Sequence, residues 1–147
     1  MPKLLLFAPC ERLIVEHGAN TVSLISVLQE ITVPVAPAAE GIPPDLIAAT
    51  TWYVVALWLR EDGEDPKRML RQRAEVESPN GKVVLRMLTE FDLSRESHRN
   101  INVIQGLPVG VPGRYQLKLA LTAVDEDNWV EIASYPFFVK HSAPPTS

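Results

Sequence analysis

Cysteine is almost absent from this 147-residue chain. Cys10 stands alone, so no disulfide can form within the chain and packing must hold the fold together. A lone thiol fits a reducing compartment, and the expected location is cytoplasmic. Long apolar runs are also missing. None approaches the roughly 18 residues of a membrane-spanning helix, so no membrane partner is expected. A basic patch is lacking too. The net charge is −4, and the group Lys67, Arg68, Arg71 and Arg73 is interrupted by apolar residues and followed by Glu75 and Glu77. That pattern reads as the solvated face of a strand, and no nucleic-acid partner is expected.

Metal-ligand spacing is missing as well. His17, His98 and His141 are scattered, without the short spacing of a zinc site. Asp125, Asp127 and the acidic loop 61–65 lack the ligand order and closing glutamate of a calcium loop. Cys10 could pair with His17 or His98 as a nucleophile, but no elbow motif or glycine-rich turn surrounds it, and a buried inert thiol is the favoured reading. The expectation is a non-enzyme with no metal and no cofactor.

Proline is abundant, at 13 residues, which works against long helices because proline lacks the N–H and clashes inside one. Short strands with turn signals between them are what remain. Met1–Cys10 loosely imitates a signal or lipoprotein signal, but its apolar part is short and Pro9 stands where a small residue should precede a lipidated cysteine, so it reads as a first strand. Leu4–Phe7 and Leu13–Val15 are its apolar parts, with a kink or bulge expected at Pro9. His17–Asn20 is a turn signal.

Thr21–Val35 fits helical spacing at Leu24, Val27, Leu28 and Ile31, and strand spacing at Ile25, Val27, Ile31 and Val33. Its β-branched content and Pro34 favour strand over residues 21–33. Residues 36–49 form a proline-rich loop expected to cross between sheets, with one helical turn starting at Asp45–Ile47.

Thr50–Arg60 is the strongest strand. Trp52, Val54, Ala56 and Trp58 point one way, and Tyr53, Val55, Leu57 and Leu59 the other, so both faces are apolar. Residues 70–78 alternate, with Leu70, Gln72, Ala74 and Val76 inward and Arg71, Arg73, Glu75 and Glu77 outward. Ser78–Gly81 is a hairpin turn with Asn80 and Gly81 expected at positive φ. The return strand puts Val83, Leu85, Met87, Thr89 and Phe91 inward. Ser94–Asn100 is a polar connection, and Ile101–Ile104 a short strand. A last hairpin joins Arg114–Val124 to Trp129–Val139, with Tyr115, Leu117, Leu119, Leu121 and Ala123 on one face. The sum is one domain over 1–140 and a disordered tail over 141–147. The fold class is all-β, a two-sheet antiparallel sandwich of about seven to nine strands.

Two stretches carry a resemblance. Pro112–Leu119, with Tyr115 leading into alternating leucines, resembles the penultimate strand of immunoglobulin-like domains, although the Cys–Trp–Cys signature of antibody domains is absent. Lys3–Glu11, Asn20–Leu28 and His98–Ile101 together resemble a family of small bacterial proteins of unknown function with an immunoglobulin-like β-sandwich. That resemblance implies a bacterial or phage-associated origin and a strand over 21–33. It implies no activity.

Two candidate sites follow. The first is an apolar face at Trp52, Tyr53, Val55, Leu57 and Trp58, extended by Val84 and Leu88. Either the loop 36–49 covers it or it meets another protein, a second copy included. The second is the polar cluster Ser94, Arg95, His98, Arg99 and Asn100, which could bind a small molecule or anion or hydrogen-bond a crossover between sheets. The expected function is protein interaction or a structural accessory role through the apolar face. The alternative is a small-molecule or anion-binding module at residues 94–100.

Overall fold

The computed structural model describes residues 1–35 and 41–143. Among the described residues there are nine strands and no helix. They are β1 (Lys3–Glu16), β2 (Thr21–Val27), β3 (Glu30–Pro34), β4 (Ile47–Leu59), β5 (Leu70–Glu77), β6 (Val83–Phe91), β7 (Ser97–Pro108), β8 (Gly113–Ala123) and β9 (Val130–Ser142). One sheet has four strands in the order β2-β1-β4-β7. The other has five, β3-β9-β8-β5-β6, and is strongly curled into a half-barrel.

The core lies between the sheets and follows from alternation along each strand. β4 contributes Trp52, Val54, Ala56 and Trp58, and β8 contributes Tyr115, Leu117, Leu119, Leu121 and Ala123. β5 adds Leu70, Ala74 and Val76, and β9 adds Phe137 and Val139. Aromatic rings meet at the centre, with Tyr115 stacked on Phe137 at 5.2 Å and Trp52 tilted against Phe137 at 6.4 Å. Burying one such large apolar side chain contributes about 1.5–3 kcal/mol before entropy is counted. The Tyr115 hydroxyl donates to the Val111 carbonyl at 2.7 Å, which ties the start of β8 to the turn before it.

Several expectations need correction. The sandwich is not wholly antiparallel, because β3 runs parallel to β9. Residues 21–33 are strand, but as two strands in different sheets. The switch falls at Leu28, whose side chain is buried and whose N–H donates to the Pro9 carbonyl at 3.0 Å. Ser26, at φ 57°, turns the backbone just before it. β1 runs through Pro9 without a break; its irregularity lies between Leu4 and Leu6. At the 78–82 turn only Gly81 takes positive φ, at 83°. There Ser78 N–H donates to Lys82 O at 2.8 Å and Gly81 N–H to Ser78 O at 3.0 Å, a three-residue loop with a glycine bulge in place of a two-residue Asn-Gly turn. Val83 is exposed, because the ladder shifts between Val76 and Glu77.

Pro44 and Asp45 form a β-turn rather than a helical turn, closed by Leu46 N–H on Pro43 O at 3.1 Å. The connection from β3 to β4 joins the two sheets, but residues 47–49 of the expected loop belong to β4, and residues 36–40 lie outside the described residues. β7 spans Ser97–Pro108, far longer than the expected 101–104. β9 runs to Ser142, so His141 and Ser142 belong to the sheet beside Val33 and Pro34. The rest of the expected tail, 144–147, lies outside the described residues.

Candidate functional site

The seven residues of the expected apolar surface do not share a surface. Trp52 and Trp58 are core residues, 1% and 0% exposed. Trp52 Nε1–H donates to Gly106 O at 3.0 Å, and Trp58 Nε1–H to Gln72 Oε1 at 2.8 Å. Val55 lies on the opposite face of β4 and is also 0% exposed, while Tyr53 and Leu57 are half-buried. Val84 and Leu88 are exposed, but on β6, the edge of the other sheet.

β1 and β7 flank β4 within its own sheet, and β2 lies outside β1. β1 pairs with β4 through residues 3–10 and with β2 through residues 10–16. The β1–β2 hairpin is amphipathic. Its paired Leu13 and Leu24, and Val15 and Val22, are half-buried, whereas Arg12, Ile14, Ser23 and Ile25 are exposed. Asn20 of its turn and Thr21 and Val22 of β2 line one cleft with Leu5 and Leu57.

Part of the expected polar cluster lines the same cleft. Arg95, Glu96, Ser97, His98 and Arg99 complete the lining, and the volume is about 630 Å³. The backbone here is fixed by Arg60, whose N–H donates to Glu96 O at 2.8 Å and whose Nη1 donates to Leu93 O at 2.7 Å. Ser94 N–H donates to Asp92 Oδ1 at 3.1 Å. Hydrogen bonds from Ser94 hold the Asp92 carboxyl below the ordinary aspartate range, assisted weakly by His98.

Strand alternation splits the polar cluster in two. Ser97 and Arg99 pair with Leu59 and Leu57 and lie on the second face. Asn100 is buried, and His98 stacks on Phe91 at 5.0 Å. His98 Nε2 lies 2.8 Å from Asn100 Oδ1, and Asn100 Nδ2–H donates to Gln72 Oε1 at 3.0 Å. His98, Asn100, Gln72 and Trp58 thus form one polar chain through the core. Gln72 was placed inward by alternation, but its role depends on Asn100, 28 positions along the chain.

Several charges of the five-stranded sheet are paired. On the outer face of the five-stranded sheet, Arg71 meets Glu90 at 2.9 Å, Arg73 meets Glu75 at 2.6 Å, and Lys118 meets Glu77 at 3.0 Å. The outward placing of residues 71, 73, 75 and 77 is as expected. Arg73 also lies 4.5 Å over the Trp129 ring. By contrast, Arg95 and Arg99 enter no ion pair among the described residues.

Cys10 is fully buried, and burial pushes its thiol pKa up, opposite to the shift that activates a cysteine nucleophile. No helix among the described residues is long and apolar enough to cross a membrane.

The free edges of the sheets differ in their protection. β6 carries Arg86 and Glu90, β3 carries Glu30 and Pro34, and β7 carries Arg99 and Pro108. β2 reads Thr-Val-Ser-Leu-Ile-Ser-Val, with no charge and no proline. On it Ile25 and Val27 are exposed, and beside it so is Ile14 of β1. No family model matches the chain, and no curated protein matches it.

Proposed function

We propose that this chain is a non-enzymatic protein-interaction domain that associates with a second copy of itself along the free edge of β2. The observation that carries the reading is the missing protection of that edge. Exposed strand edges are templates for further pairing, and folded proteins guard them with charge, proline or cover. β2 is the one edge strand among the described residues with none of these residues. Its lack of charge also favours a copy of itself as the partner. Two β2 strands can pair about a two-fold axis without setting like charges against each other across the seam.

A seven-residue seam is short. It falls at the low end of interface sizes, below about 1,200 Å² in total, so association should be weak and concentration-dependent. Size-exclusion chromatography with light scattering tests the reading. The wild type should gain mass as its concentration rises, and Ile25→Lys should stay monomeric because a buried lysine would oppose its own copy. A wild type that stays monomeric at high concentration would sink the proposal.

We extend the reading to the immunoglobulin-like character of the sandwich. The order β9-β8-β5-β6 beside β4 and β7 supports it, as does the Tyr115 hydroxyl bonded to backbone just upstream. In that comparison Gln72 occupies the strand that carries the core tryptophan of antibody domains. Membership of the small bacterial family and a cytoplasmic location belong to the same proposal. Free, buried Cys10 supports the latter.

A further inference from the structure

We propose that the cleft between the hairpin tip and residues 95–99 binds a small amphiphilic anion, meaning a carboxylate or phosphate head carried on an apolar body. This does not depend on self-association.

The lining combines two chemistries. Arg95, Ser97 and Arg99 line it together with Leu5, Val22 and Leu57, and Leu57 is the β4 neighbour of Arg99. A guanidinium presents a planar fork that matches the two oxygens of a carboxylate or phosphate. On the five-stranded sheet, where Arg71, Arg73 and Arg86 crowd together, carboxylates answer them. In the cleft Glu96 is the single acidic residue against two arginines, and it too is unpaired among the described residues. The cleft lining therefore carries a net positive charge beside apolar side chains.

Its size agrees. A volume near 630 Å³ lies within the roughly 300–1,000 Å³ of small-molecule sites. The lining is also preformed, since Arg60 bonds to both Leu93 O and Glu96 and fixes the backbone that presents Arg95. Less ordering is then needed on binding.

Octyl phosphate, octanoate, 1-octanol and inorganic phosphate, each below any micelle concentration, distinguish head from body. Binding is read by thermal shift and by amide chemical-shift mapping. Octyl phosphate and octanoate should raise the unfolding midpoint and move the signals of Leu5, Val22, Leu57 and Arg99. Octanol and inorganic phosphate should bind at least tenfold more weakly. Arg95→Gln and Arg99→Gln should each weaken octyl phosphate roughly tenfold or more, the expected loss of a charge-assisted hydrogen bond. Arg114→Gln, on the five-stranded sheet, should leave it unchanged. Arg99→Lys, which keeps the charge and loses the fork, should fall between wild type and Arg99→Gln. Equal binding of octanol and octyl phosphate would overturn the anion site. So would affinity unmoved by both glutamine variants, or shifts mapping away from the cleft.

Discussion

Gln72 Oε1 accepts two hydrogen bonds in a row of β5 that otherwise presents Leu70, Ala74 and Val76 to the core. Replacing it with leucine keeps much of the volume but leaves Trp58 Nε1–H and Asn100 Nδ2–H without their acceptor. A buried donor left unpaired costs about 1–3 kcal/mol, so Gln72→Leu should lose roughly 2–4 kcal/mol, read from urea unfolding at unchanged slope. Asp92 makes a second test at this scale. Its folded pKa is depressed by Ser94, so the stability it contributes is complete above the unfolded aspartate pKa. That contribution fades as pH falls through the folded value. Carbon-detected NMR titration should place the Asp92 carboxyl below ordinary aspartates, and Ser94→Ala, which removes the hydroxyl part, should move it upward.

Elements were legible from the sequence where the signal is local. Period-two alternation set the inward rows of β4, β5 and β8, because successive side chains on a strand must face opposite ways. β7 was cut short for a physical reason: its inner row carries Asn100, and Asn102 hydrogen-bonds Thr89 across the core at 3.0 Å, so polar residues interrupt the apolar pattern. The break between β2 and β3 was also hidden, because Val27–Glu30 contains no glycine or proline to mark it. The cleft was half visible. Its arginines stood out as a polar cluster, but Leu5 joins them through the long-range pairing of β1 with β4, and Val22 through the β1–β2 hairpin carried on it. Gly110 marks another contact of this kind. A methyl group there would collide with the carbonyl oxygens of Pro43 and Pro44, while Val109 N–H donates to Leu46 O at 3.0 Å. Gly110→Ala should therefore destabilise by about 1–3 kcal/mol, measured by thermal or urea unfolding. Gly18→Ala, which meets open space, is the control and should stay near wild type.

At the scale of the whole molecule the two sheets meet solvent differently. The five-stranded sheet closes its outer face with paired charges, including Arg86 with Glu75 at 3.2 Å. In the four-stranded sheet β4 lies between β1 and β7, Val55 on its second face is dry, and the sheet ends in the uncharged edge of β2. Apolar surface still left at this end, such as Ile14, Ile25 and Val27, lies beside the β2 edge. Hydrogen–deuterium exchange at several protein concentrations reads that edge most directly. Amides of Thr21–Val27 that face away from β1 should exchange more slowly as concentration rises, while those on the free edges of β6 and β7 keep their rates. Exchange at β2 that does not change with concentration would contradict the account.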